Sequence, residues 1–134
     1  MTKYVLPVRV YLEDTDAQGV VYNASYFRFM ERARTECLRA QGIDHDQLRE
    51  KHGVVLVLAS IEARFRAPAR LSDMLYVSAD VAEARGARMR FTQNVRRNDP
   101  AGDVVCEGSA EVACTDACGR PRRIPKTLMS ELTQ

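Results

Sequence analysis

No stretch of this chain approaches the ~20 consecutive apolar residues that a membrane-spanning helix needs, so insertion into a bilayer is not expected. The opening Met-Thr-Lys-Tyr-Val-Leu-Pro-Val likewise lacks the apolar core of a secretory signal, and the expected location is cytoplasmic. Neither sign of charge dominates. Twenty basic side chains against eighteen acidic ones leave a formal charge of +2, which gives no electrostatic argument for a nucleic-acid partner and requires any anion site to be local. Histidine is scarce, and neither His45 nor His52 is spaced as one of a ligand pair, so no metal or other cofactor is expected. The four cysteines (Cys37, Cys106, Cys114, Cys118) are scattered unevenly through a chain long enough to fold without staples and read as free thiols.

What is present is a folded composition, 46% hydrophobic and 28% charged, in a length of 134 residues that suits one domain spanning 1–134. Residues 4 to 13 alternate Val8, Val10 and Leu12 with Arg9, Tyr11 and Glu13 and read as a strand, with Pro7 marking an edge or entry point. The polar segment Asp14-Thr15-Asp16-Ala17-Gln18-Gly19 favours irregular backbone. From Asn23 to Gln41, Tyr26, Met30, Ala33, Cys37 and Ala40 recur at spacings of three and four, which predicts a helix capped by Asn23 or Ser25 and closed by Gly42. Residues 43 to 53 read as a loop or short helix, and the apolar run Val54 to Ile61 as a strand covered on both sides. Leu75 to Ala84, Arg88 to Arg97 and Val104 to Thr115 complete the strands. One amphipathic helix among consecutive antiparallel strands is the α+β class, with the helix packed on one face of the sheet.

The informative stretch is the polar turn before the helix, which offers a carboxylate beside a helix start. A helix start offers unsatisfied N–H groups and the positive end of its dipole, which polarise a carbonyl and stabilise an oxyanion, and a neighbouring Asp can activate water or attack the carbonyl. Asp, Asn and Gly also gather before helices simply to cap and turn, so these residues alone leave both readings open.

The segment Val10 to Tyr26 (VYLEDTDAQGVVYNASY), followed by Glu31-Arg32-Ala33-Arg34-Thr35-Glu36, resembles the active-site signature of hotdog-fold thioesterases, and within them the YbgC-type, Tol-Pal-associated branch of the 4-hydroxybenzoyl-CoA thioesterase family. Phe65 to Asp73, Arg85-Gly86 with Phe91-Thr92-Gln93, and Pro121 to Pro125 continue the resemblance in order. It implies a hotdog, a curved antiparallel sheet wrapped around the helix of residues 24 to 41. It further implies a homo-oligomer, dimer or tetramer, with active sites at the dimer interface, and hydrolysis of acyl-CoA to free acid and coenzyme A without a cofactor. By position, Asp16 matches the family's catalytic carboxylate, as general base or nucleophile, and the backbone N–H of Asn23 matches the group that polarises the thioester carbonyl. Gly19 would let the loop approach substrate closely. Tyr26 and Phe27 stand nearest the acyl group, and Arg88, Arg122 and Arg123, with Arg90 and Lys126, are candidates for the phosphates of coenzyme A. Asp14 reads as a turn-holding residue.

This chain departs from many relatives in having Asn23 in place of His and Leu12 in place of Tyr, so help from an imidazole is lost while a backbone donor survives. The carrier is coenzyme A or acyl carrier protein. Rival readings are a non-catalytic acyl-CoA or acyl-carrier-protein binding module, against which Asp16 speaks; a hotdog dehydratase, for which neither histidine is placed; and a scaffold at the cell envelope or in phospholipid synthesis.

Overall fold

The computed structural model describes residues 3–133. Five antiparallel strands form one sheet in the order β1-β3-β4-β5-β2, where β1 is Lys3–Arg9, β2 Val55–Phe65, β3 Met74–Arg85, β4 Arg88–Arg97 and β5 Val104–Thr115. The strands that follow one another by hairpins, β3 to β5, occupy the centre, and the two strands separated from them by the long helix take the edges. Helix α1 (Asn23–Ala40) lies across one face, and its buried Phe29, Met30, Ala33 and Cys37 meet Leu75, Val77, Phe91, Val95 and Ala110 from the sheet in a single core. A short α2 (His45–Gln47) runs on into a π-helical turn, Leu48–His52. Among the described residues no helix is long and apolar enough to cross a membrane.

Alternation along the central strands matches their burial: in β4, Met89, Phe91, Gln93 and Val95 turn inward. The pairing slips at Leu58/Ser60, Val81/Glu83 and Val95/Arg96, and such bulges bend and twist a sheet. Gly108 shows how closely its neighbours approach, because a Cβ there would overlap the carbonyl oxygen of Glu62 on the adjacent strand and touch Cε of Met30 on α1.

Three sequence expectations need correction, and one element was not anticipated. The first strand stops at Arg9: Val10 still bonds Asp73 and Ser72 through its backbone, but Leu12–Asp14 coil into a 3-10 turn, because the Asp14 carboxylate takes the Tyr11 N–H that a ladder would need. The cap of α1 is Tyr22, which makes no side-chain bond, and Ser25 instead donates its hydroxyl to the carbonyl of Asp14. The run from Val54 is an edge strand reaching Phe65, not a strand covered on both sides; Val57 and Leu58 are each 46% exposed and Phe65 44%. An apolar run of strand length does not by itself place the strand in the interior of a sheet. Finally, the C-terminal helix α3 (Lys126–Leu132) went unforeseen, although Leu128 and Leu132, one turn apart after Pro125, are its two buried residues. Pro7 does sit on an edge strand, facing Tyr76.

Gly108→Ala is expected to lower the unfolding free energy by about 1–3 kcal/mol, the usual cost of forcing atoms into a filled core, as read from the denaturant midpoint at unchanged slope.

Candidate active site

Asp16 lies in a small loop closed by a bridge between Thr15 and Val21. The N–H of Gln18 donates to its Oδ1 at 2.9 Å and that of Val20 at 3.4 Å, while its own N–H donates to Val20 O at 2.9 Å. One carboxylate oxygen is thereby fixed and charge-stabilised; Oδ2 accepts no bond from the described residues and is the oxygen available for chemistry. Gly19 closes this turn at φ +77°, a conformation that a side chain would strain, and its Cα faces open space. The loop is pinned to the segment before β3 by Val20 pairing with Arg70 and by the Val21 N–H donating to Ala69 O at 2.8 Å.

Asp14 does a different job. It is 6% exposed, its Oδ2 accepts the Tyr11 N–H at 2.9 Å, and Arg28 reaches its Oδ1 at 3.3 Å. Its carbonyl oxygen accepts the Tyr22 N–H at 2.9 Å and the Ser25 hydroxyl at 3.2 Å. Both carboxylate oxygens are taken up in tying the turn to the first residues of α1. Those bonds use the N–H of Tyr22, and Ser25 N–H closes on Tyr22 O, so the N–H groups of Asn23 and Ala24 meet no acceptor among the described residues. Asn23 itself is exposed. The helix therefore presents open donors, at the positive end of its dipole, immediately after the Asp16 loop.

Behind this point Tyr26 is buried in the core, its ring centroid 6.3 Å from Phe29 and 5.7 Å from Phe65, and burial pushes its hydroxyl up to about 12. Tyr26 supports the site from beneath, whereas the half-buried Phe27, 6.3 Å from Phe65, reaches its surface. The place of Phe65 was not foreseen; its only sequence signal was an aromatic residue just before the Arg66-Ala67-Pro68 turn. Also unforeseen was a buried pair, Arg34 with Gln93, whose signal was a cation on the helix's inner stripe.

The basic candidates lie elsewhere. Arg88 begins β4 and pairs with Glu111 at 3.3 Å; Arg90 pairs with Glu83 at 3.6 Å and Arg122 with Asp116 at 3.5 Å. Arg122 and Arg123 join the same end through Arg122 N–H to Cys114 O and Ile124 N–H to Gly86 O. Lys126 opens α3. The Asp16 loop is anchored at the Met74 end of β3 and these arginines at its Arg85 end, roughly 35 Å apart at ~3.3 Å per strand residue. Asp16, Gly19, Asn23 and Phe27 are thus brought together by one chain; Arg88, Arg122 and Arg123 are not brought to them. No cluster of His, Cys, Asp and Glu among the described residues is arranged to hold a metal ion. The cysteines are free, and burial raises the thiols of Cys37 and Cys106 to about 11 and that of Cys114 above its usual value.

A thiol held neutral by burial resists modification and stabilises the fold below the unfolded-state value near 9, a contribution lost as pH rises toward 11. At pH 8 a disulfide reagent is expected to titrate Cys118 alone in the native protein and all four cysteines in denaturant. Rapid native modification of Cys37 would contradict the packing.

Known proteins match this arrangement over nearly the whole chain. Residues 10–132 match the family model of the thioesterase-like superfamily. The chain is 40% identical over 134 residues to the acyl-CoA thioester hydrolase YbgC of Escherichia coli, covering 99% of this chain and 98% of that protein. It is also 40% identical over 113 residues to the acyl-CoA thioesterase YbgC of Haemophilus influenzae, covering 84% and 81%. Its fold superposes on a mutant 4-hydroxybenzoyl CoA thioesterase complexed with 4-hydroxybenzoyl CoA with a TM-score of 0.90 at 20% identity, covering 98% of this chain and 99% of that one, a likeness of fold. With its five-stranded sheet and cross-packed helix, this chain is a hotdog-fold protein and belongs to the thioesterase-like superfamily.

Proposed function

We propose that the protein hydrolyses acyl-CoA thioesters, with the carbonyl oxygen seated on the open N–H groups at Asn23 and Ala24 and Asp16 Oδ2 driving the reaction. The observation that carries this reading is the juxtaposition of an anchored carboxylate, one oxygen unengaged, with an uncapped helix start in the next turn of chain. The N–H donors stabilise negative charge as the carbonyl becomes tetrahedral. Asp16 either removes a proton from the attacking water or attacks the carbonyl itself, giving an anhydride that water then opens. In both routes the C–S bond breaks, coenzyme A leaves as its thiol after taking a proton, and the acyl group leaves as the free acid. The identity to two YbgC thioesterases supports the substrate class. Asn23 contributes its backbone, so its side chain is not required to carry a proton.

The active unit is a pair of chains joined along β2. The outer edge of this strand is unpaired in the sheet order, and Val57, Leu58 and Phe65 leave it apolar. Antiparallel pairing of two β2 strands about a two-fold sets the Phe65 end of one beside the Val55 end of the other. Because Val55 faces Thr115 within the sheet, the Arg88, Arg122 and Arg123 end of one chain then lies toward the Asp16 end of its partner, where the phosphates of coenzyme A need cations.

Asp16→Asn is expected to leave the fold intact and cut kcat for acyl-CoA hydrolysis by at least ~10²-fold, the usual worth of a positioned proton acceptor, measured by release of thiol. Near-native turnover by that variant would overturn the reading. Light scattering is expected to give the natural chain at a multiple of 15.1 kDa, and Val57→Lys, which sets a charge in the seam, at a single chain with activity lost. A fully active natural monomer would exclude the shared site.

A further inference from the structure

Arg34 is a cation where the core should hold none. It projects from the inner face of α1, is 7% exposed, and no carboxylate of the described residues lies within salt-bridge distance. Its Nη1 donates to Gln93 Oε1 at 2.9 Å. Gln93 is itself locked, its Nε2 donating to Met30 O at 3.0 Å and Ser78 O at 3.1 Å, so the amide oxygen can only face the guanidinium. That bond fixes the direction of Arg34 without neutralising it. Its remaining donors meet no partner among the described residues and open into a cleft of about 250 Å³ between α1 and the edge strand β2. Leu38, Leu56, Leu58, Phe91 and Val112 supply apolar walls, with Glu31 and His45 exposed at the rim. Burial lowers the pKa of Arg34 below its ordinary value and nearby Glu31 raises it in part, as expected of a charge held away from water.

The unpaired donors of Arg34 are satisfied only by the water that reaches them through the cleft, and an anion delivered by a ligand would replace that water with paired charge-assisted bonds. The apolar walls fit a hydrocarbon chain leading to it. We propose that this cleft receives the far end of the acyl group and that Arg34 selects acyl chains ending in a carboxylate. The inference rests on the hydrolase reading for the identity of the ligand.

Geometry indicates which carbonyl site the cleft serves. From Asn23 to Arg34 the helix rises about 16 Å at ~1.5 Å per residue, and Tyr26, Phe27 and Phe65 pack together at its first turns. Helix and edge strand run antiparallel, since α1 begins beside Phe65 and Leu38 shares the cleft with Leu56. Joining two β2 edges about a two-fold brings the helix start of one chain toward the Leu56 end of the other. Arg34 of one protomer therefore reads the tail of the thioester activated by its partner.

The test is calorimetric binding of paired acyl-CoAs to Asp16→Asn, which slows turnover: malonyl, succinyl, glutaryl and adipyl thioesters against the methyl-ended acyl groups of equal length. At the best length the carboxylate-ended ligand is expected to bind at least about tenfold more tightly, and adding Arg34→Met to bring that ratio to about one. Preference for the methyl-ended ligand at every length overturns the proposal on the Arg34-containing protein alone, without depending on whether Arg34→Met folds. An equal loss for both series on Arg34→Met overturns it too. Turnover by the natural chain is read on the same panel: hydrolysis confined to methyl-ended thioesters sinks this inference and spares the hydrolase reading, whereas carboxylate-selective binding without hydrolysis of any thioester sinks the hydrolase reading and leaves the selectivity standing.

Discussion

The open N–H groups at the start of α1 exist because the bonds that could have closed them are made one residue earlier. Asp14 takes the Tyr22 N–H on its carbonyl oxygen and the Tyr11 N–H on its carboxylate, and Ser25, which could have capped the helix, spends its hydroxyl on the same carbonyl. The helix begins without a side-chain cap, normally worth about 1 kcal/mol. That stability is forgone at the point where a substrate carbonyl can supply the missing acceptor. The same tie fixes where the next loop starts, and so the position of Asp16. Two carboxylates two residues apart thus divide the work: Asp14 is saturated by protein donors and Asp16 keeps an oxygen free.

A second constraint acts through the sheet. Because α1 intervenes between β1 and β2, the chain returns to the far edge, and an apolar strand is left with one side unpaired. The candidate groups are distributed along that geometry, with carboxylate and helix start at one end, arginines at the other and a largely buried guanidinium between. The proposed two-fold pairing along β2 would gather them from two chains, so that in this proposal catalysis and association share one edge.

Much of this was legible in the residues. The three-and-four spacing of Tyr26, Met30, Ala33 and Cys37 located α1 within a residue of its ends, and alternation located the central strands. The order of motifs from Val10 to Pro125 identified the family that the whole-chain matches show. What failed did so where local pattern and tertiary demand diverge. Val10 and Leu12 continue an alternating pattern, but Asp14 captures the backbone and ends the strand. Val54 to Ile61 looks interior because it is continuously apolar, yet it lies at the edge of the sheet with Val57 and Leu58 exposed. Tyr26, a stripe residue on α1, is buried in the core, which the helical spacing alone also predicted. Arg34 stands on the inner stripe of α1, but its partner Gln93, fifty-nine residues away in sequence, is visible only in the fold.

The central claim is that the start of α1 polarises a thioester carbonyl, and it is most directly read from the carbonyl itself. In isotope-edited infrared difference spectra of an acyl-CoA labelled with carbon-13 at its carbonyl, bound to Asp16→Asn, the account predicts a C=O stretch displaced to lower frequency than in free acyl-CoA, reflecting strong hydrogen bonding from the Asn23 and Ala24 N–H groups. A carbonyl that binds with its free-solution frequency or higher would show that the helix start does not engage it, and would contradict the account.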